Sequence, residues 1–127
     1  MIVPENKPKK VSAQQALEDS SIRFYLTGSR FFGTQHQFSD TDYFTENTPM
    51  TEAFLLAHGF QRVTSSAYLD TNTVKVLTCL GTNPSDRIDV QLVKSVEKKA
   101  KAQAALKSAK QLYPTTEMWN AMWAALA

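Results

Sequence analysis

The distribution of apolar and polar positions predicts strands mixed with helices. Residues 87–93 alternate apolar and polar side chains, which is typical of a strand with one buried face. Residues 23–27 form an aromatic and aliphatic run that ends at a glycine, and we interpret this run as an earlier strand. Two β-branched runs, 61–69 and 73–80, flank residues 70–72 and indicate a hairpin.

Helix signals separate these strands. Thr48 followed by Pro49 is typical of a capped helix start. Gly59-Phe60 is typical of a helix end at which glycine takes a left-handed conformation. We therefore predict a helix over residues 50–58.

From Lys94 the composition changes to alanine and lysine, which predicts a helix over residues 97–112. Its thin apolar stripe consists of Val96, Ala100, Ala104 and Leu106. Its charged surface consists of Lys94, Lys98, Lys99, Lys101, Lys107 and Lys110. Such a surface is either a solvated face or an electrostatic platform for RNA or an acidic protein.

Pro114 ends that helix, and a second C-terminal helix is predicted to run to residue 127. Trp119 and Trp123 lie four residues apart and would share its apolar face. This face either packs on the domain or forms a self-association or partner surface.

The length of 127 residues predicts a single domain. We divide it into an extended arm (1–11), a core (12–93) and C-terminal helices packed on the core (94–127). The expected fold class is α/β (α+β), a small mixed sheet with helices on one face and the candidate carboxylates on the open one.

Composition excludes several classes of protein. The net charge of +2, from 14 basic and 12 acidic residues, does not indicate a bulk nucleic-acid binder. One cysteine, Cys79, excludes an internal disulfide and suits a reducing compartment. No run approaches the length of a membrane span, so we expect a soluble cytoplasmic protein without a membrane partner.

Asp40 and Asp42 are the first candidate site residues. Side chains two apart on a strand leave the same face, so these carboxylates would repel each other unless a cation or a proton lies between them. Mg²⁺ is commonly held by one or two carboxylates together with substrate phosphates and water. The other interpretation of Asp-Thr-Asp is a solvated turn.

Upstream, Gly28-Ser29 would let the backbone approach a phosphate group at the start of a helix. Arg30 follows, either as a solvated or ion-paired residue or as a phosphate contact. Downstream, Asp89 lies on the polar face of the strand at 87–93. If that strand neighbours the strand of Asp42, three carboxylates converge and would hold two metal ions.

These residues together resemble the polymerase-beta-like nucleotidyltransferase superfamily, and most of all its small, minimal members. The resemblance spans about residues 23–93 and rests on Gly28-Ser29-Arg30, Gly33, Ser39-Asp40-Thr41-Asp42 and Asp89. The C-terminal helices carry no motif of that family.

The resemblance implies a reaction and a set of roles. A nucleoside monophosphate would pass from a nucleoside triphosphate to a hydroxyl of a protein or RNA acceptor, with release of pyrophosphate. Asp40, Asp42 and Asp89 would be the catalytic and metal-binding residues, and Mg²⁺ or Mn²⁺ the cofactor. Gly28, Ser29 and Arg30 would bind the nucleotide.

Minimal relatives often form half of a toxin–antitoxin pair, and the resemblance leaves the acceptor open between protein and RNA. The alternative function is a catalytically silent protein of the same fold. It would sequester or inhibit a partner through the helix that carries Trp119 and Trp123.

Overall fold

The computed structural model of the protein describes residues 12–64, 74–115 and 117–118. The helices in this part of the chain are α1 (Ala13–Asp19), α2 (Gly28–Phe32), α3 (Pro49–Ala57) and α4 (Val96–Ser108). The strands are β1 (Tyr25–Thr27), β2 (Thr41–Glu46), β3 (Gln61–Arg62), β4 (Lys75–Cys79) and β5 (Ile88–Val93). The predicted arm at 1–11, the turn at 70–72, Trp119 and Trp123 lie outside the described residues.

The strands form one mixed sheet with the order β1-β2-β5-β4-β3. The central pair, β2 and β5, is parallel, while the other neighbours are antiparallel. The predicted mixed α/β architecture is therefore confirmed. The hairpin between the two β-branched runs is present as the β3–β4 pair.

One face of the sheet carries the main hydrophobic core. The alternation predicted for residues 87–93 is confirmed, because every second side chain of β5 is buried there. The buried members of this core are Leu17, Leu55, Phe60, Leu77, Ile88, Val90 and Leu92. Leu17 belongs to α1 and Leu55 to α3, so these two helices cover this face.

Helix α4 packs on the opposite face, over β1 and β2, so the prediction that helices occupy one face only is wrong. Phe44 of β2 points to this second face, and the Lys99 ammonium lies 5.3 Å from the centre of its ring. The Gln103 side-chain amide donates to the Leu26 carbonyl at 3.0 Å, which ties α4 to the edge strand β1.

Of the predicted apolar stripe of α4, Leu106 is buried, Val96 and Ala100 are half-buried, and Ala104 is exposed. The helix buries Lys99, Ala102, Gln103 and Leu106, while Ala104 is exposed. Two of these buried residues are polar: Lys99 interacts with the charge of Asp42, and Gln103 donates to the Leu26 carbonyl. A prediction from the hydrophobic residues alone therefore assigns the wrong side of α4 as buried.

The ends of α3 are confirmed as predicted. Thr48 accepts a hydrogen bond from the Thr51 amide at 3.1 Å, and Pro49 is the first helical residue. Gly59 has φ 89°, and the Phe60 amide donates to the Leu55 carbonyl at 3.0 Å, as in a Schellman motif.

Helix α4 ends at Ser108, four residues before its predicted end, in a second Schellman motif. The Gln111 amide donates to the Leu106 carbonyl at 2.8 Å. The left-handed position is held by Lys110 with φ 61°, not by glycine. This turn reverses the chain direction ahead of residues 112–114. No helix among the described residues has the length and apolarity required to cross a membrane.

We expect Lys110→Gly to stabilise the protein, because a lysine in the left-handed region is strained and glycine is not. The gain in the free energy of unfolding should be about 0.5–1 kcal/mol, measured by urea denaturation. Lys101→Gly, in the exposed interior of α4, is the matched control and should lose about 1 kcal/mol. A loss at Lys110→Gly as well would contradict the assigned turn.

Candidate metal centre

The parallel pairing of β2 with β5 brings the three predicted carboxylates together. Asp42 lies directly opposite Asp89 in the register of these strands, and Asp40 immediately precedes β2. Each residue offers a carboxylate oxygen that lies within 4.8 Å of those of the other two. The predicted convergence of Asp40, Asp42 and Asp89 is thus present.

Burial and mutual repulsion make this cluster unfavourable while it is fully charged. Burial, followed by the charges of Asp40 and Asp89, raises the pKa of Asp42 to about 7. Burial also raises the pKa of Asp40, and Asp89 adds to that rise. Both carboxyls are therefore in an environment that favours a proton or a cation between them.

Asp89 differs from the other two because it is ion-paired with an arginine that immediately precedes β5. The Arg87 Nε donates to Asp89 Oδ1 at 3.1 Å, and the Asp89 side chain is only 14% exposed. This bond fixes one oxygen of Asp89.

Gly28 lies directly against the cluster. Its φ of 68° is in the left-handed region, and a Cβ at this position would overlap the Asp42 carboxylate. Glycine is required both by the backbone conformation and by the space that Asp42 occupies. The following Ser29 is half-buried in the first turn of α2.

Arg30 has a role that the sequence alternatives did not include. Its Nη2 donates to the Ser39 carbonyl at 2.8 Å and its Nε to the Asp40 carbonyl at 3.0 Å. Arg30 thus holds the backbone that delivers Asp40 to β2. Direct nucleotide contact by Arg30 stays a prediction.

Lys99 was predicted to lie on the charged surface of α4, and that prediction is wrong. Its residue exposure is 6%, and its ammonium lies above Phe44, two residues along the same face of β2 from Asp42. Burial lowers the pKa of Lys99 to about 8, and the charge of Asp42 opposes that change. The signal in the sequence that could have indicated this burial is the helical spacing of Lys99, Gln103 and Leu106. This spacing places the two polar residues on the same side of the helix as a buried leucine.

Two clefts meet at Asp40. The first, of about 510 Å³, is lined by Gly28, Ser29, Asp40, Asp42 and residues 112–114, among others. The second, of about 580 Å³, is lined by Phe38, Leu80 and Arg87 among others. Asp40 therefore borders both clefts, and Asp42 borders the first.

The donor set fits a hard divalent cation. It consists of carboxylate oxygens from three residues, and the cluster found among the described residues contains neither histidine nor cysteine. The raised pKa values of Asp40 and Asp42 mark the charge that such a cation would neutralise. Asp40, Asp42 and Asp89 are the residues that would hold it.

Comparisons with protein-family models, with curated proteins and with solved structures returned no match for this chain.

We expect the metal-free protein to lose stability as pH rises. The folded pKa of Asp42, about 7, exceeds its ordinary value of 3.8, so the folded form keeps a proton that the unfolded chain releases between those values. Mg²⁺ should bind the charged cluster and remove this loss. Thermal unfolding at pH 5 and pH 8, with and without Mg²⁺, should therefore show larger stabilisation by Mg²⁺ at pH 8.

Asp42→Asn should abolish most of that stabilisation by Mg²⁺, because it removes one ligand and the charge. Glu46→Gln is the matched control, since Glu46 is exposed at the far end of the same strand. Equal stabilisation of Asp42→Asn and the unsubstituted protein by Mg²⁺ would rule out the assigned centre.

Proposed function

We propose that this protein is a metal-dependent nucleotidyltransferase that transfers a nucleoside monophosphate from a nucleoside triphosphate to a hydroxyl acceptor. The observation that carries the proposal is the convergence of Asp40, Asp42 and Asp89 beside the Gly28-Ser29 turn. Three carboxylates within 4.8 Å, next to an open cleft, suit phosphoryl chemistry better than a structural role, because they destabilise the metal-free fold.

The three carboxylates have distinct tasks in this proposal. Asp40 and Asp42 hold Mg²⁺ or Mn²⁺, which when bound supplies positive charge to the reacting phosphate and its leaving group. Asp89 shares in that binding, and it also accepts the proton of the attacking hydroxyl. Its hydrogen bond from Arg87 leaves the second carboxylate oxygen for these tasks.

Gly28 and Ser29 bind the triphosphate. Gly28 has no side chain to separate the turn from Asp42, so a phosphate group in the cleft can lie close to both the backbone and the carboxylates. The Ser29 residue lines the same cleft, where its hydroxyl can donate to the β- or γ-phosphate. Arg30 supports this arrangement by fixing the Ser39 and Asp40 carbonyls.

The reaction is a single displacement at the α-phosphorus. The acceptor oxygen forms a bond to that phosphorus, and the acceptor proton passes to Asp89. The bond between the α-phosphorus and the oxygen that joins it to the β-phosphorus breaks. Pyrophosphate leaves with the electron pair of that bond. Attack in line with the leaving group requires the acceptor to approach from the side opposite the pyrophosphate. The cleft of Phe38, Leu80 and Arg87, which also reaches Asp40, offers such an approach to a protein or RNA acceptor.

Incubation with α-³²P-labelled nucleoside triphosphates, Mg²⁺ and cell extract should transfer label to a protein or to RNA, and protease or ribonuclease digestion should identify which. Asp42→Ala and Asp89→Asn should each lower the transfer by about 100-fold or more, because each removes a ligand that the transition state needs. Glu46→Gln should retain full transfer, and chelation of the metal should abolish it.

The same assay addresses the silent binding protein. Two results together would favour that alternative over the enzyme. The intact protein would transfer no label, and it would form a stoichiometric complex with a partner that still forms with Asp42→Ala. Trp119 and Trp123, to which the sequence assigns that contact, lie outside the described residues.

A further inference from the structure

The cleft beside Gly28 and Asp42 has a second wall that no sequence motif predicted. This wall consists of Leu112, Tyr113 and Pro114, which follow α4. The same cleft is also lined by Ser29, Asp40, Asp42 and the ring of Phe32, among others. Groups that suit a phosphate chain therefore share one cleft with apolar and aromatic groups that suit a base.

The position of this wall is fixed by the packing of α4. Gln103 ties the helix to the Leu26 carbonyl of β1, and the Lys107 ammonium lies 4.9 Å from the centre of the Phe31 ring in α2. The left-handed Lys110 then turns the chain back, so that residues 112–114 reach the cleft. The helix that leads into this wall is thus attached to β1 and to α2, and α2 carries Gly28 and Ser29.

Tyr113 is the most exposed large aromatic side chain in the described residues, at 78%. Pro114 restricts the backbone of the residue before it to extended conformations, which limits the directions the Tyr113 ring can take. An exposed aromatic ring with a restricted backbone is suited to stacking on a planar ligand, because little conformational freedom is lost on binding.

We propose that Tyr113 is the stacking platform for the nucleobase of the donor nucleotide. This inference rests on the proposed nucleotidyl transfer and adds the base-binding side of its donor site. A cleft of about 510 Å³ falls in the size range of small-molecule sites. Because stacking accepts the face of any base, Tyr113 would give affinity for nucleotides over inorganic phosphates with little preference among the four bases.

The test compares ATP with inorganic tripolyphosphate, which has the phosphate chain and no base. Binding of each to the full chain in Mn²⁺ is measured by isothermal titration calorimetry for the unsubstituted protein, Tyr113→Ala and Tyr113→Phe. Tyr113→Ala should weaken ATP binding on the order of 10-fold and leave tripolyphosphate binding unchanged. Tyr113→Phe keeps the ring and should bind ATP normally.

Met50→Ala is the control. Met50 is also a large exposed apolar residue, at 73%, but it lines neither cleft and should not affect ATP binding. Equal melting temperatures of Tyr113→Ala and the unsubstituted protein establish that any loss is local.

The failure of this inference is distinct from the failure of the proposed function. If the unsubstituted protein binds ATP and Tyr113→Ala binds it equally well, the stacking role is wrong while the donor site stands. If the unsubstituted protein binds ATP no more tightly than tripolyphosphate, no base platform exists. If it binds neither, the donor site itself is wrong and the base platform falls with it.

Discussion

The parallel pairing of β2 with β5 forces three carboxylates into one small volume, and the electrostatic repulsion among them is the constraint on which the site depends. Asp42 and Asp89 are register partners at the start of these strands, so neither can move away without breaking the centre of the sheet. Burial adds to the repulsion, since water cannot screen the charges fully. The cluster offers carboxylate oxygens, which are the ligands that a hard divalent cation prefers.

The surrounding residues limit the motion of the cluster more than they neutralise it. Arg30 directs its guanidinium to two backbone carbonyls and so fixes the loop that carries Asp40. Arg87 holds one oxygen of Asp89. Lys99 brings a buried positive charge beneath the same face of β2, where its interaction with the Phe44 ring offsets part of the cost of burial. The two arginines thus hold Asp89 and the backbone of Asp40, while Asp40 and Asp42 still line an open cleft.

Helix α4 links the sheet to the cleft. Its polar buried residues pack against β1 and β2, and a left-handed residue ends the helix. The residues that follow line the same cleft as Gly28. The helix therefore has two structural roles that its alanine-lysine composition does not indicate. It packs on the second face of the sheet over β1 and β2, and it leads into Tyr113, which lines the same cleft as Asp40 and Asp42.

The sequence by itself determined the local features, because these depend on neighbouring residues. The sequence predicted the alternation of β5 and the capped start and glycine end of α3. It also predicted that Asp40, Asp42 and Asp89 lie on strands or at their edges. What only the tertiary structure decided depends on contacts between distant segments. Three features depend on such contacts. They are the burial of Lys99, the hydrogen bonds from Arg30 to the Ser39 and Asp40 carbonyls, and the cleft wall at 112–114. The sequence around Lys99 does not indicate that Asp42 is nearby in the fold, since the two residues are more than fifty positions apart in the chain.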